Sequence, residues 1–425
     1  MKVYIEPSKQ QWKEIIQRPA LDTRSLNDSV TGVLNGVKQN GDAAIKKYSQ
    51  QFDGIFLNEL EVSHAEINES FAQLSGELMA AIELAKNNIT AFHEQQLQQE
   101  LKIETTPGVY CWRRSVPIEK VGLYIPGGTA PLFSTVLMLG IPAKIAGCKE
   151  IILCSPPNKE GKLHPVILFA AKVVGVTKIY KVGGIQAIAA MAYGTETIPQ
   201  VYKIFGPGNQ YVTAAKQLIQ LDGVAIDMPA GPSEVCVLAD ETCNPAFVAA
   251  DLLSQAEHGA DSQVFLVANE KKTVDAVLQE LTKQLQRLPR KDIAAKALEN
   301  SKAIVLNKLE DAIDLVNEYA PEHLIISCTN DEEIAEHIFN AGSVFLGNYS
   351  PESVGDYASG TNHTLPTNGF AKAYSGVSVD SFVKKITYQK LSKTGLQNIG
   401  RAVEVLAEAE GLKAHAHAVT VRLAE

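Results

Sequence analysis

The chain has 425 residues, 45% hydrophobic and 20% charged, a globular composition too long for one hydrophobic core, so two main domains with appendages are expected. Its formal net charge of −9 offers no basic surface to a phosphate backbone, which argues against nucleic acid as the principal partner but not against a nucleotide cofactor. No apolar run near the N-terminus is long enough for a signal h-region or a membrane span, so a cytoplasmic protein with no membrane partner is expected.

Residues 1–23 read as an arm with a short helix around 11–17. Apolar positions 30, 33, 34 and 37 mark a helix that ends at Gly41, after which Asp42 can cap the next one. Ser63-x-x-Glu66 is a capping-box pattern, and Leu78, Ile82, Ala85, Ile89 and Phe92 continue at helical spacing. This opening is helical scaffold without chemistry, and His64 and His93 read as solvated helix-face residues.

From Val121 the rhythm becomes strand, turn, helix. Short β-rich runs at 121–125, 150–154, 178–182 and 202–205 alternate with helical stretches such as 164–174 and 209–221, the pattern of a parallel sheet with crossover helices. A second series has candidate strands at 234–238, 263–267, 303–306, 324–327 and 343–346, with helices at about 246–257, 271–286, 309–318 and 331–340. The fold class is therefore α/β with two Rossmann-like parallel sheets. No Gly-x-Gly-x-x-Gly follows a strand. Three other turns stand before helices: Ile125-Pro-Gly-Gly-Thr-Ala-Pro131, Val182-Gly-Gly-Ile-Gln-Ala187 and Phe205-Gly-Pro-Gly-Asn209. Their amides and helix N-termini can face a phosphate, although tight βα turns that need positive φ would use the same residues.

The stretch Asp251–Asp261 sets Gln255 and His258 three apart near a helix end that Gly259 would stop, where one face can carry an amide oxygen and an imidazole nitrogen. A solvated helix end would account for the same residues. Further histidines stand beside polar blocks: Pro321-Glu322-His323, Gly355-Asp356 through His363, and Glu410 through His415. Residues 346–376 are Gly-, Ser-, Asn- and Thr-rich, the composition of a site loop. The tail after 379 has a β-like stretch at 382–388, a helix at about 395–410 and a last segment at 418–423, with too little apolar surface to stand alone. The six cysteines, Cys111, Cys148, Cys154, Cys236, Cys243 and Cys328, form no Cys-x-x-Cys pair and read as buried reduced thiols.

The blocks at 121–138, 182–192, 204–209, 226–234, 252–264, 321–325, 350–363 and 407–421 resemble the histidinol dehydrogenase family, and the resemblance covers nearly the whole chain. It implies an NAD-dependent oxidoreductase that converts L-histidinol to L-histidine through histidinal, using two NAD and one zinc ion per site. It implies a homodimer with shared active sites, whose C-terminal tail swaps onto the partner. The implied domains are an arm over 1–23, a substrate and zinc domain from 24–120 and 236–378, an NAD-side domain over 121–235, and the tail over 379–425.

The resemblance assigns Tyr124, Gln186 and Asn209 to NAD, and Gln255, His258, Asp356 and His415 to zinc. Ser233, His363 and Glu410 would contact substrate, as would the zinc-site residues and the catalytic pair. His415-Ala-His417 departs from the family by offering two imidazoles where one is often followed by Asn, so His415 is chosen by its alignment with Glu410 and Ala418-Val419-Thr420. Oxidising an alcohol to an acid needs a base for the alcohol proton and a second to help water attack the aldehyde. His323 suits the first role and Glu322 the second, with Pro321 setting an irregular loop that lets neighbouring side chains reach one point. The rival chemistry is a cysteine nucleophile at Cys111 or Cys148, as in aldehyde dehydrogenases. A non-catalytic zinc- or nucleotide-binding protein on the same fold is the other alternative.

Overall fold

Strands that re-enter a sheet in the same direction need a crossover, and the alternation of apolar runs with amphipathic helices supplies it twice. The structure, a computed structural model, describes residues 1–18, 23–127, 131–229 and 231–424. Positions 128–130 of the turn 125–131, and Ala230 in the 226–234 block, lie outside the described residues.

In chain order the strands are β1 (Lys2–Ile5), β2 (Lys102–Thr106), β3 (Val109–Pro117), β4 (Lys120–Tyr124), β5 (Glu150–Cys154), β6 (Lys178–Tyr180), β7 (Lys203–Phe205), β8 (Ala225–Ile226), β9 (Glu234–Ala239), β10 (Gln263–Ala268), β11 (Lys302–Val305), β12 (His323–Ser327), β13 (Ser343–Leu346) and β14 (Val383–Leu391). A five-stranded parallel sheet has the order β6-β5-β4-β7-β8, and a six-stranded one β1-β11-β10-β9-β12-β13. Strands β9 and β10 are buried at every position, because helices cover both faces. The α/β class and the two parallel sheets are as expected from the sequence.

Several elements differ from the sequence reading. β1 joins the edge of the six-stranded sheet, so the arm is partly a strand. A third, antiparallel sheet, β14-β3-β2, forms where only helical scaffold was expected before Val121. Helix Lys291–Glu299 was missed, and the helix expected over 331–340 ends at Ala335. Gly41 does interrupt the long helix Thr23–Tyr48, with φ 51° and ψ −133°, and the Ser63–Glu66 capping box forms.

Helices 23–48 and 76–94 were expected to belong with 236–378. They pack instead on the five-stranded sheet: Val30, Val33 and Ile45 share a core with Ile152 and Ile204, and Ile82 and Ile89 share one with Val121 and Leu123. An apolar stripe states that a helix needs a face, not which one. The tail is tied down by β14, which pairs along its whole length with β3. Its helices Lys393–Ala409 and Lys413–Leu423 pack on each other.

Candidate active site

Helix Leu309–Tyr319 ends with Ala320 in the left-handed region (φ 51°), and the chain turns through Pro321 and Glu322 into β12. His323 is the first residue of that strand, opposite Val235 of β9 and Ser343 of β13, at the amino edge of the six-stranded sheet. Because Glu322 precedes the strand, the alternation of faces does not separate the two side chains, and Glu322 Oε2 comes 3.8 Å from His323 Nδ1.

His323 Nδ1 lies 3.2 Å from the carbonyl oxygen of Glu234. A carbonyl only accepts, so Nδ1 carries the hydrogen and the lone pair of the neutral ring is on Nε2. Nε2 faces Asp356 Oδ1 at 3.4 Å, and neither atom has a hydrogen-bond partner in the protein. Burial opposes the charge on His323, but Glu322, Asp356 and Glu352 outweigh it and draw its pKa up to about 10. Burial pushes Glu322 up to about 8, although His323 and the Glu234 N–H, which donates to Oε2 at 2.8 Å, favour the carboxylate. The cluster thus holds protons that the same groups would release in water.

Asp356 sits at the end of helix Glu352–Tyr357, a turn of helix inside the polar stretch that sequence reading took for a loop. Burial works against its ionisation, but His323, His363 and His258 hold the carboxyl below its ordinary range. His363 Nδ1 donates to the Asp356 carbonyl at 2.9 Å. Gln255 lies on helix Pro245–Ala256, and His258 stands in the turn that continues from its end, where its N–H donates to the Gln255 carbonyl at 3.2 Å; burial lowers its pKa, opposed by the Asp356 charge. The Gln255 amide is satisfied when its nitrogen donates to Glu352 Oε1 (2.6 Å) and its oxygen accepts from the Glu234 N–H (3.0 Å). Glu352, which the sequence did not single out, is 1% exposed, and burial raises its pKa well above the carboxylate range. Ser233 is half-buried just before β9.

The loop carrying Asp356 and His363 is fastened by helix Gly76–Glu94. Asn88 donates to the Ala358 carbonyl at 2.8 Å; Asn362 donates to the Met138 carbonyl at 2.6 Å and lies 3.4 Å from His93 Nε2. His93 is therefore not a solvated residue. The buried stripe runs Ile82, Ala85, Ile89, His93, and Phe92 is on the exposed side.

On the five-stranded sheet, Tyr124 ends β4 and its hydroxyl accepts the Gly184 N–H at 3.1 Å; burial pushes its pKa up to about 12. Gln186 donates to Asp53 Oδ2 at 3.3 Å. Asn209 caps helix Gln210–Ile219, accepting the N–H groups of Tyr211 and Val212. The connections leave in opposite directions from the adjacent strands β4 and β7, and crevices for ligands form at the carboxyl ends of strands where that happens. The turns are in contact there: Gly206 has φ 127°, and a Cβ on it would strike the Tyr124 carbonyl oxygen. Buried Lys216 and Asp227, an ion pair at 2.5 Å, hold this turn, with Lys216 donating to the Gly206 carbonyl and Gly206 N–H donating to Asp227, both at 2.8 Å.

Glu410 and His415 stay apart from the cluster. Glu410 ends helix Lys393–Ala409, and His415 is exposed on the following helix. Among the described residues no three His, Cys, Asp or Glu side chains are grouped to share a metal ion. Within one chain the expected donors reduce to Gln255, His258 and Asp356. Their chemistry still fits a cation: Asp356 Oδ1 and His323 Nε2 are buried facing acceptors, a pairing that needs a proton or a positive ion beside it. The rival thiols fit poorly. Burial pushes Cys148 up to about 12, away from a reactive thiolate, and Cys111 lies on β3 in the third sheet.

Fold and site together define an α/β enzyme, with proton-transfer groups at the edge of one parallel sheet and a switch-point crevice in the other. The chain belongs to the histidinol dehydrogenase family, a family of oxidoreductases, whose sequence model matches residues 16–423. It is 61% identical over 423 residues to histidinol dehydrogenase of Bacteroides thetaiotaomicron, covering 100% of this chain and 99% of that one. It is 50% identical over 419 residues to the Yersinia pestis enzyme of that name, covering 98% and 94%. The crystal structure of histidinol dehydrogenase from Elizabethkingia anophelis superposes with a TM-score of 0.98 at 57% identity, covering 100% of this chain and 98% of that one. Among the described residues no helix is long and apolar enough to cross a membrane.

Proposed function

We propose that this chain oxidises L-histidinol to L-histidine through histidinal, with two NAD reduced per substrate, as a cytoplasmic step of histidine biosynthesis. The observation that carries the reading is the buried pair: His323, whose Nδ1 is tied to the Glu234 carbonyl and whose Nε2 is left without a hydrogen-bond partner in the protein, and the Glu322 carboxyl beside it, pushed up to about 8 by burial.

In the first step His323 Nε2 takes the alcohol proton, and NAD, where bound, would supply the hydride acceptor that leaves the product an aldehyde. In the second, Glu322 takes a proton from water as the oxygen adds to the aldehyde carbon, and His323 Nε2 takes a hydroxyl proton of the resulting hydrate, for which a second NAD would supply the hydride acceptor. The sum is one alcohol, one water and two NAD giving one carboxylate, two NADH and three protons. A base near its working pH is best suited to such transfers, and burial sets Glu322 in that range.

Tyr124, Gln186 and Asn209 would hold NAD at the β4–β7 switch point. Ser233, His363 and Glu410 would contact the substrate. Zinc held by Gln255, His258 and Asp356, with His415 from a second copy of the chain, would anchor the substrate nitrogens and offset the carboxylate charge that draws His323 up. Glu410 and His415 lie away from the cluster within one chain, which favours a homodimer in which each tail completes the other site.

The test is NADH absorbance with L-histidinol, with and without a chelator. NADH formation that stops on chelation and returns with zinc supports the reading; no NADH from L-histidinol overturns the function, and full activity after complete metal removal overturns the zinc site.

A further inference from the structure

Glu234 touches both members of the catalytic pair through its main chain. Its N–H donates to Glu322 Oε2 at 2.8 Å, and its carbonyl oxygen accepts from His323 Nδ1 at 3.2 Å. What holds residue 234 therefore holds the carboxylate and the imidazole together.

Its side chain, 2% exposed, is held by a residue from far away in sequence. Arg18 Nε meets Oε1 at 2.5 Å and an Arg18 terminal nitrogen meets Oε2 at 2.8 Å, a two-point fork, while the Asn368 N–H donates to Oε1 at 2.9 Å. Arg18 is itself fixed, donating to the Tyr319 carbonyl at 2.8 Å with its guanidinium 4.2 Å over the Tyr319 ring. Tyr319 closes the helix that leads through Ala320 and Pro321 into Glu322. One guanidinium thus ties down both chain segments that approach the pair, the start of β9 and the turn before β12.

A buried ion pair is a weak source of stability, because desolvation offsets most of its attraction. A planar fork is a strong source of orientation, because two parallel hydrogen bonds remove the freedom that a point charge leaves. We infer that Arg18 and Glu234 are positioning residues for the reaction, the N-terminal arm fixing the backbone of residue 234 and that backbone fixing the Glu322 carboxylate and the His323 tautomer. The inference rests on the assignment of Glu322 and His323 as the reacting pair.

The experiment uses the metal-loaded enzyme and compares Arg18→Lys, Arg18→Ala and Glu234→Gln with His323→Ala. Single-turnover NADH formation, with enzyme in excess over L-histidinol, reads the rate of native sites and ignores an unfolded fraction. Displacements near 1 Å can cost about 100-fold. Arg18→Lys, which keeps the charge and loses the fork, should slow the single turnover about 10-fold or more with KM for NAD within about two-fold of wild type. Arg18→Ala should be slower, and guanidinium ion added to it should restore part of the rate. Native-site rates within about two-fold of wild type for the Arg18 and Glu234 variants, with His323→Ala slow, would overturn the positioning role and leave the pair's assignment standing. A fast His323→Ala would overturn that assignment instead. Should Arg18→Ala fail to fold, Arg18→Lys and Glu234→Gln decide the matter.

Discussion

Thr135 Oγ1 and His363 Nε2 meet at 3.2 Å. Thr135 lies in the first turn of helix Phe133–Ala146, which follows the turn after β4 where the nucleotide is proposed to bind, while His363 donates through Nδ1 to the residue that faces His323. The contact joins the carboxyl edge of one sheet to the amino edge of the other, the juxtaposition that hydride transfer between a bound nucleotide and a substrate requires. Thr135→Val keeps the shape and removes the hydroxyl. A lost hydrogen bond of about 0.5–1.5 kcal/mol corresponds to roughly 2- to 12-fold. KM for L-histidinol should rise by that factor with KM for NAD unchanged; an unchanged KM for L-histidinol would show that the contact does not orient His363 for substrate.

The catalytic pair should separate by step. His323→Ala should slow oxidation of both L-histidinol and histidinal, because the aldehyde hydrate, like the alcohol, must lose a hydroxyl proton as hydride leaves, and Nε2 would take it in both steps. Glu322→Gln keeps an acceptor for the Glu234 N–H, so the local structure should persist while water activation is lost. Its deficit should be larger with histidinal than in the first hydride transfer from L-histidinol. Equal deficits on the two substrates, measured separately in single turnovers, would contradict the division of roles.

Much of the fold was legible because it is written in local patterns. Strands β4, β5, β9 and β10 are apolar runs after their first residue, and Gly41 and the Ser63–Glu66 box stop and start helices by their own chemistry. The candidate site was legible through a family resemblance, since Glu322 and Asp356 become neighbours only when β12 and helix Glu352–Tyr357 are placed. The residues that sequence reading missed are held by distant partners: Arg18 by Glu234, Glu352 by Gln255, and His93 by Asn362. No period in the chain encodes such pairings. β3 was hidden because its burial does not alternate cleanly, and its partner β14 comes more than 260 residues later in sequence.

His93 should make the protein acid-sensitive. Burial holds it below the ordinary imidazole pKa, so the native state keeps it neutral while the unfolded chain takes up a proton below about 6.5. The unfolded state then binds more protons, and stability should fall as pH drops below about 6.5, until native His93 itself titrates. His363, also lowered by burial, adds in the same sense. His93→Gln should lower the urea midpoint at pH 7.5 yet flatten its decline between pH 6.5 and 5. The same decline in both proteins would show that His93 does not titrate on unfolding.

The proposed sharing of active sites across a homodimer makes a quantitative prediction about mixed dimers. His323→Ala and His415→Ala should each be nearly inactive alone. Refolded together in equal amounts, about half of the dimers should be mixed, each with one intact site if the tail acts across the dimer, so recovery should approach roughly a quarter of wild-type activity. Activity that stays at the parental background, with mixed dimers confirmed by mass, would place the tail's function within its own chain.

The most direct measurement is the stoichiometry of NADH against L-histidinol at completion. A base at His323 and a water activator at Glu322 in one pocket predict two NADH for each L-histidinol consumed, with L-histidine as the product and histidinal at no more than trace levels. One NADH per L-histidinol with histidinal accumulating would contradict the four-electron oxidation on which the assignment of Glu322 and His323 rests.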